Sequence, residues 1–242
     1  MKHLRIAWRF TFFVFYTAWI VLLIYLRKLV LSADLRDAMR IRRRWARNLL
    51  AGVGVEIRSF GEVPAEPCLL VCNHRSYLDP IILLAYIDAL PVAKAEMASW
   101  PLLGKGAQMA GILYLKRESA NSRANTLKAL TQAVRDGYPI ILFPEGTTSG
   151  LPTGVLPFKK GAFRAAAEQQ IPLSPVAFCF AETADFWVGS ESFLQHAYRR
   201  FKQDKIRVDV HFGPVFRGDE ASSLLDQSRH WIESRLTENP PQ

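Results

Sequence analysis

The sequence predicts an α/β protein with a mixed, largely parallel central sheet flanked by helices, preceded by an N-terminal membrane-embedded helical segment. From residue 53 onwards, apolar runs of strand length alternate with segments of helical periodicity, which is typical of an α/β layer architecture. Near the N-terminus, the residues 10–26 contain no charge and predict a helix in a membrane environment. We therefore expect a membrane-anchoring helical segment over residues 1–50 and an α/β domain over residues 51–242.

Composition and charge narrow the class of protein. Half of the 242 residues are hydrophobic, which is enough for a sizeable core. The net charge of +9 lies entirely in the first 60 residues, where twelve Lys and Arg residues stand against three acidic ones. These charges flank the most apolar segment instead of covering a folded face, which argues against nucleic-acid binding. The three cysteines, Cys68, Cys72 and Cys179, do not have the spacing of a disulfide framework or of a zinc site. We therefore expect a reducing compartment and no metal site.

The segment 10–26 is rich in aromatic residues, which favour the membrane interface. As a helix it spans roughly 25 Å, slightly less than a bilayer core of about 30 Å. Basic residues lie on both sides, so its orientation is undetermined, and no signal-peptide cleavage site follows. Two interpretations remain: a single transmembrane helix, or a helix pair with residues 34–50 in one leaflet, its arginines at anionic headgroups. Residues 40–50 mix basic and apolar positions, as expected of a helix on a phospholipid surface or of a solvated helix.

The remaining elements follow from hydrophobic periodicity. Strands are predicted at residues 53–60, 68–72, 92–95, 112–115, 139–143, 173–180 and 206–212. Helices are predicted at residues 77–89, within 99–109, and at 121–136, 159–170 and 219–236. Residues 181–203 show the least periodicity and are expected to form a loop, either touching lipid or packed on the surface.

One short motif carries candidate chemistry. His74 and Asp79 lie five residues apart, directly after the apolar run 69–72. Histidine has the side-chain pKa nearest neutrality and suits a general base, and a carboxylate on one ring nitrogen leaves the other free to take a proton. A strand exit followed by the first turn of a helix brings two such residues together. The same residues could also be a surface histidine and a helix-capping aspartate.

Further blocks follow in a fixed order. Phe143-Pro144-Glu145-Gly146-Thr147-Thr148-Ser149 comes after another apolar run, and weaker blocks lie at residues 111–117, 158–163 and 171–176. Together with the motif around His74, these blocks resemble the glycerolipid acyltransferase family, the 1-acyl-glycerol-3-phosphate acyltransferase type with its HX4D motif. The resemblance covers about residues 60–215, and it implies that the domain 51–242 is catalytic.

The resemblance implies a membrane-associated O-acyltransferase that moves a fatty acyl group from an acyl thioester to the free hydroxyl of a lysolipid. His74 is the expected general base and Asp79 its orienting partner. The residues expected to bind the substrates are Arg117, Glu145, Gly146, Thr147, Thr148 and Lys159. Lys159 is expected near the phosphates of the acceptor or of the donor, and the others at the acceptor. No cofactor or metal is expected, and either acyl-CoA or an acyl carrier protein is the donor. Membrane lipids are the expected partners, with the catalytic domain on the cytoplasmic face.

The sequence departs from the family pattern at Thr148, where the commonest form has an arginine. A cationic phosphate ligand is therefore missing, which makes a lyso-ornithine lipid or a lysophospholipid a plausible acceptor beside 1-acyl-glycerol-3-phosphate. The motifs are also compatible with a covalent acyl carrier on Ser76, a Cys72–His74 nucleophile, a thioesterase that uses water, and a catalytically inactive membrane-surface binding protein. Arg117, Glu145 and Lys159 also have structural interpretations, as a surface charge, a turn residue and a solvated helix start.

Overall fold

The computed structural model of the protein describes residues 2–99, 104–115 and 120–242. Two helices come first, α1 (Lys2–Leu31) and α2 (Leu35–Gly52). The strands are β1 (Val55–Phe60), β2 (Leu69–Cys72), β3 (Leu90–Lys94), β4 (Leu113–Leu115), β5 (Ile140–Leu142), β6 (Leu173–Phe180) and β7 (Ile206–Phe212). The later helices are α3 (Leu78–Tyr86), α4 (Gly104–Met109), α5 (Ala120–Arg135), α6 (Gly161–Gln169), α7 (Phe193–Phe201) and α8 (Ala221–Glu238).

The described strands form one sheet in the order β1-β7-β6-β2-β5-β3-β4. All neighbouring pairs are parallel except β6 and β7, which are antiparallel. The predicted fold class, a mixed and largely parallel sheet flanked by helices, is confirmed. Strand β2 lies between β6 and β5 and is buried at all four positions, as expected of a parallel strand covered on both faces.

Helices cover both faces of the sheet, and the sheet divides the core into two halves. On β2, Leu70 and Cys72 pack with α2, α3 and α7, whereas Leu69 and Val71 pack with α5, α6 and α8. Because β2 and β5 are parallel neighbours, the segments that follow them emerge at the same edge of the sheet. The motif around His74 follows β2 and the block that begins at Phe143 follows β5, so the topology places both at one edge.

Helix α1 is longer than the apolar run that predicted it and lies against α2, α4 and α7. Its inner face also holds a buried arginine, Arg9, which donates to the backbone oxygens of Gln203 and Asp204 just beyond α7, at 2.6 and 2.7 Å. The opposite face presents large apolar side chains to the surroundings: Leu4, Trp8, Val14, Phe15, Trp19, Leu22, Tyr25, Leu26, Leu29, Val30 and Leu31. Among the described helices, α1 alone is long and apolar enough to cross a membrane.

Three predicted elements differ most from the structure. The predicted helix at 77–89 ends at Tyr86, and β3 begins at Leu90 rather than at residue 92, because Leu90 and its neighbour pair with β5 and override the helical pattern. The segment 181–203, predicted to be a loop, contains α7. A capping box starts this helix: the Ser192 side chain accepts from the Gln195 backbone N–H, and the Gln195 side chain accepts from that of Ser192.

Candidate active site

The turn at residues 73–79, which we call the histidine turn, is fixed to the sheet by Asn73. The Nδ2 atom of Asn73 donates to the backbone oxygen of Phe178 at 3.1 Å, and its Oδ1 accepts from the backbone N–H of Phe178 at 2.8 Å. This pair of hydrogen bonds continues the pairing of β2 with β6 by one side chain after the chain has left the strand. Asn73 is fully buried, and it sets the point from which His74 leaves the sheet.

Asp79 holds the His74 ring. The Oδ2 atom of Asp79 lies 2.8 Å from Nδ1 of His74, and it also accepts from the backbone N–H groups of Arg75 and Ser76 at 2.6 and 2.8 Å. Asp79 is fully buried in the first turn of α3, where the helix dipole favours a negative charge. A carboxylate oxygen only accepts hydrogen bonds, so the Nδ1 atom that faces it carries the hydrogen. The free lone pair of the neutral His74 ring therefore lies on Nε2. The imidazole therefore has the tautomer that a general base needs.

The block after β5 surrounds His74 from the other side. The Oε1 atom of Glu145 accepts from the His74 backbone N–H at 2.7 Å, and the Ser149 N–H donates to the His74 backbone oxygen at 2.8 Å. The ring of Phe143 stacks on the imidazole with 4.2 Å between centroids. Glu145 is buried and its Oε2 accepts from the Leu156 N–H at 2.8 Å. Burial raises the pKa of Glu145, and these two hydrogen bonds oppose the shift.

Arg75 joins the histidine turn to two loops, a role that the sequence did not indicate. Its guanidinium is fully buried, donates to the backbone oxygen of Gly154 at 2.5 Å and lies 5.3 Å from the centre of the Phe186 ring. The N–H of Trp187 donates to the Arg75 backbone oxygen at 2.8 Å. Burial lowers the pKa of Arg75, and the nearby carboxylates of the site oppose this effect. The turn is therefore held by the segments before α6 and before α7.

Tyr77 links the histidine turn to α7. Its hydroxyl lies 3.2 Å from Nδ1 of His196, whose Nε2 lies 3.1 Å from the backbone oxygen of Phe186. Since a carbonyl oxygen only accepts, Nε2 carries the hydrogen and the Tyr77 hydroxyl donates to Nδ1. Burial lowers the pKa of His196 to about 4 and raises the pKa of Tyr77. This histidine is neutral near pH 7, and it anchors a tyrosine whose ring lines the cavity described next.

A cavity of about 1030 Å³ extends from His74 into the space between the α/β domain and the helix pair. Its walls are mostly apolar and include side chains of α1, α2 and α3, with Phe13, Ile20, Trp45 and Leu84 among them, and Ala110 just after α4. Ligand cavities commonly measure about 300–1,000 Å³, so this one lies at the large end. The shape and lining suit a long apolar chain whose reactive end reaches His74.

Four of the residues predicted to bind the substrates line the same cavity as His74: Gly146, Thr147, Thr148 and Lys159. Gly146 has φ +76°, and a Cβ atom there would lie 2.2 Å from the Lys159 Nζ. The absence of a side chain at Gly146 therefore lets the lysine ammonium rest against the turn. Glu145 is placed differently, beneath the turn and against the His74 backbone. Arg117, also predicted to bind the acceptor, lies outside the described residues.

The sequence offered two candidate nucleophiles, Cys72 and Ser76, and both are buried. Burial raises the pKa of the Cys72 thiol well above its ordinary range, which disfavours the thiolate. Ser76 is fully buried, and its Oγ accepts from the Leu78 N–H at 3.3 Å. Neither residue lines the described part of the cavity. The atom best placed to remove a proton from a bound ligand is therefore Nε2 of His74.

The chain is similar to proteins of one known family. The sequence model of the family described as Acyltransferase matches residues 54–179. The chain is 30% identical over 191 residues to a lyso-ornithine lipid O-acyltransferase of Pseudomonas aeruginosa, covering 76% of this chain and 73% of the relative. It is 29% identical over 228 residues to the human 1-acyl-sn-glycerol-3-phosphate acyltransferase alpha, covering 89% of this chain and 77% of the relative.

The fold is also similar to a solved structure, that of the 1-acyl-sn-glycerophosphate acyltransferase PlsC from Thermotoga maritima. The TM-score is 0.76 with 16% sequence identity, over 98% of this chain and 97% of the other. At this identity the likeness concerns the fold alone.

Proposed function

Since this chain belongs to the acyltransferase family, we propose that it moves a fatty acyl group from an acyl thioester to the free hydroxyl of a lysolipid, with His74 as general base. The observation that carries the proposal is the contact of 2.8 Å between His74 Nδ1 and Asp79 Oδ2, beside a large apolar cavity that His74 lines. The contact supplies a base in the required tautomer, and the cavity supplies room for an acyl chain.

In the proposed reaction, Nε2 of His74 takes the proton of the acceptor hydroxyl while the hydroxyl oxygen attacks the thioester carbonyl carbon. The tetrahedral intermediate collapses with cleavage of the carbon–sulfur bond. The departing thiolate takes the proton from the imidazolium, so that the products are the acylated lipid and a free thiol. Asp79 stabilises the imidazolium between the two steps, and its hydrogen bonds from the backbone of the turn keep it in place.

We propose that the acceptor headgroup binds at the turn 146–148 with the ammonium of Lys159. The turn offers backbone N–H groups and two hydroxyls, and the lysine adds a positive charge beside them. Arg117 stays a proposed phosphate ligand by family resemblance. Position 148 carries threonine, which leaves both 1-acyl-glycerol-3-phosphate and lyso-ornithine lipid as acceptors. These are the lipids in the names of the two relatives described above.

We propose that α1 and α2, the anchoring segment 1–50, lie in one leaflet and do not span the bilayer. Two observations support this arrangement: α1 contacts α2, α4 and α7 with its inner face, while its outer face is apolar along its length. A helix that leaves the domain to cross a membrane would not keep such contacts. The single variants Lys2→Cys and Ser32→Cys test this proposal, because they label the two ends of α1. If the helix lies in one leaflet, both cysteines should react with an impermeant thiol reagent added to the same side of the membrane. Reaction of the two cysteines from opposite sides would show that the helix spans the bilayer.

We place the catalytic domain on the cytoplasmic face. The three native cysteines are free and buried, which fits a reducing compartment. The exposed arginines of α2, which are Arg36, Arg40, Arg44 and Arg47, suit the anionic headgroups of the cytoplasmic leaflet. Acyl-CoA and acyl carrier protein both remain candidate donors, since both present a thioester at the end of a phosphopantetheine arm.

The test is mass spectrometry of the products formed by the purified protein from one acyl thioester and a panel of lysolipids. We expect a diacylated lipid from at least one member of the panel, with a fatty ester at the formerly free hydroxyl. Release of free fatty acid without an acceptor would identify a thioesterase. Absence of any transfer, with retained vesicle binding, would identify an inactive membrane-surface protein.

A further inference from the structure

We propose that Glu145 is a positioning residue whose carboxylate fixes the backbone of His74, and that it does not bind the acceptor. The inference rests on the proposed role of His74 as general base. It concerns a residue for which family resemblance implies contact with the substrate. Three observations carry it: the occupancy of both carboxylate oxygens, the burial of the side chain, and its place relative to the cavity.

Both oxygens of Glu145 are used by the protein itself. Oε1 accepts from the His74 backbone N–H at 2.7 Å, and Oε2 accepts from the Leu156 N–H at 2.8 Å. The side chain is only 5% exposed. Glu145 does not line the described part of the cavity, whereas the three residues that follow it do. An acceptor lipid held at the turn 146–148 therefore meets the turn and not this carboxylate.

The two N–H groups explain why a carboxylate occupies this position. They belong to segments far apart in sequence, the histidine turn and the loop before α6, and each donates to a different oxygen of the same buried carboxylate. An ionised carboxylate has two accepting oxygens and no donor, so it serves both at once. A glutamine has one accepting oxygen, and its NH₂ group would face the second N–H. The buried guanidinium of Arg75 lies close enough to favour the charged form of Glu145.

The clamp completes the constraint on His74. Glu145 holds its N–H and Ser149 holds its backbone oxygen, while Phe143 and Asp79 hold the ring. The block after β5 therefore acts on His74 through the main chain, in addition to lining the acceptor side of the cavity. Since a displacement of about 1 Å in a catalytic group costs on the order of a hundredfold in rate, release of this backbone would lower turnover.

The decisive experiment is steady-state kinetics of Glu145→Gln in mixed micelles, with the acceptor varied at saturating thioester. We expect kcat to fall by about tenfold or more while KM for the acceptor stays within about twofold of the wild-type value. The matched control is Glu233→Gln, since Glu233 accepts from the N–H of Val155, next to Leu156, at 3.5 Å and does not touch the histidine turn. This control should retain the wild-type kcat.

Circular dichroism and thermal unfolding check that the variants are folded. Glu145→Asp is the second variant: it keeps the charge but is too short to reach both N–H groups, so kcat should again fall with an unchanged KM. A large rise in acceptor KM with an unchanged kcat in a folded variant would overturn the proposal and assign Glu145 to acceptor binding. Wild-type values of both constants would overturn it as well. Neither outcome affects the role of His74, which depends on the separate variant His74→Ala.

Discussion

The Oδ2 atom of Asp79 lies 2.8 Å from Nδ1 of His74, and the same oxygen accepts from two backbone N–H groups of the turn between them. One carboxylate oxygen therefore fixes both the shape of the turn and the tautomer of the imidazole. The five-residue spacing suits this arrangement. His74 follows the end of β2, and the turn must bring Asp79, in the first turn of α3, back to the His74 ring.

Asp79→Asn tests this arrangement. Asparagine keeps an oxygen for the three donors but removes the negative charge that stabilises the imidazolium during proton transfer. We expect kcat to fall by about a hundredfold, the usual scale of general-base assistance. The measurement is kcat of the folded variant, with Asp88→Asn as the control, since Asp88 pairs with Arg43 away from the cavity. An unchanged kcat for Asp79→Asn would show that the carboxylate has no part in proton transfer.

Thr148→Arg tests the source of acceptor specificity. A guanidinium at this position adds a charge-assisted partner for a phosphate monoester, beside the ammonium of Lys159. We expect the ratio of kcat/KM for lysophosphatidic acid to that for lyso-ornithine lipid to rise about tenfold, as one hydrogen bond to a charged group predicts. Thr153→Arg places the same charge on the exposed loop nearby and should leave the ratio unchanged. If Thr148→Arg also leaves it unchanged, position 148 does not select the acceptor.

The outer face of α1 should be the principal contact with lipid. The triple variant Trp8→Ser, Phe15→Ser, Trp19→Ser removes large exposed rings without disturbing the buried face of the helix. Binding to anionic vesicles, measured by sedimentation, should weaken by at least about tenfold because each ring contributes apolar area to the interface. Phe60→Ser removes an exposed ring from β1 and is the control. Equal vesicle binding by the triple variant would contradict this assignment of the membrane face.

His196 should make stability depend on pH. Burial lowers its pKa from 6.5 to about 4, so between these values the unfolded chain binds a proton that the folded chain excludes, and stability falls as pH falls. Asp185 has the opposite sign, because burial raises its pKa from 3.8 to about 6 and the folded chain binds the proton first. In His196→Gln only the first contribution is lost.

The free energy of unfolding, measured by urea in micelles at about pH 7 and about pH 4.5, checks this prediction. Between the two conditions, His196→Gln should lose on the order of 2 kcal/mol less than the wild-type protein. His230→Gln, on an exposed position of α8, should behave as the wild type. An equal pH dependence in His196→Gln and the wild-type protein would show that this histidine is not kept neutral by the fold.

The fold class and the central pair of the site were predictable because their signals are local. His74 and Asp79 are separated by one turn, and the apolar run before them predicts the strand that delivers them. The clamp by Glu145 was not predictable, since its partners at His74 and Leu156 lie 71 and 11 residues away and are chosen by the packing of two loops. The same holds for the bridge from Asn73 to Phe178, 105 residues apart.

Helix α7 was missed for a different reason. Its buried face includes His196 and Arg200, polar residues that mask the apolar period. The charge of the buried Arg200 is paired with Asp185 and Glu182, which lie before the helix. The serine at 192 with a glutamine three residues later was a local signal for the start of this helix. The ends of α3 and β3 were misplaced because strand pairing with β5, a long-range contact, decides where the helix stops.

The most direct test of the central claim is acyl transfer by His74→Ala, measured with the acyl thioester and acceptor that the wild-type protein uses. The variant loses Nε2 as proton acceptor but keeps the backbone contacts of residue 74, so it should fold. We expect transfer to fall to the background rate, with His230→Ala, an exposed histidine on α8, retaining the wild-type rate. Transfer by folded His74→Ala at a rate near that of the wild-type protein would contradict the account.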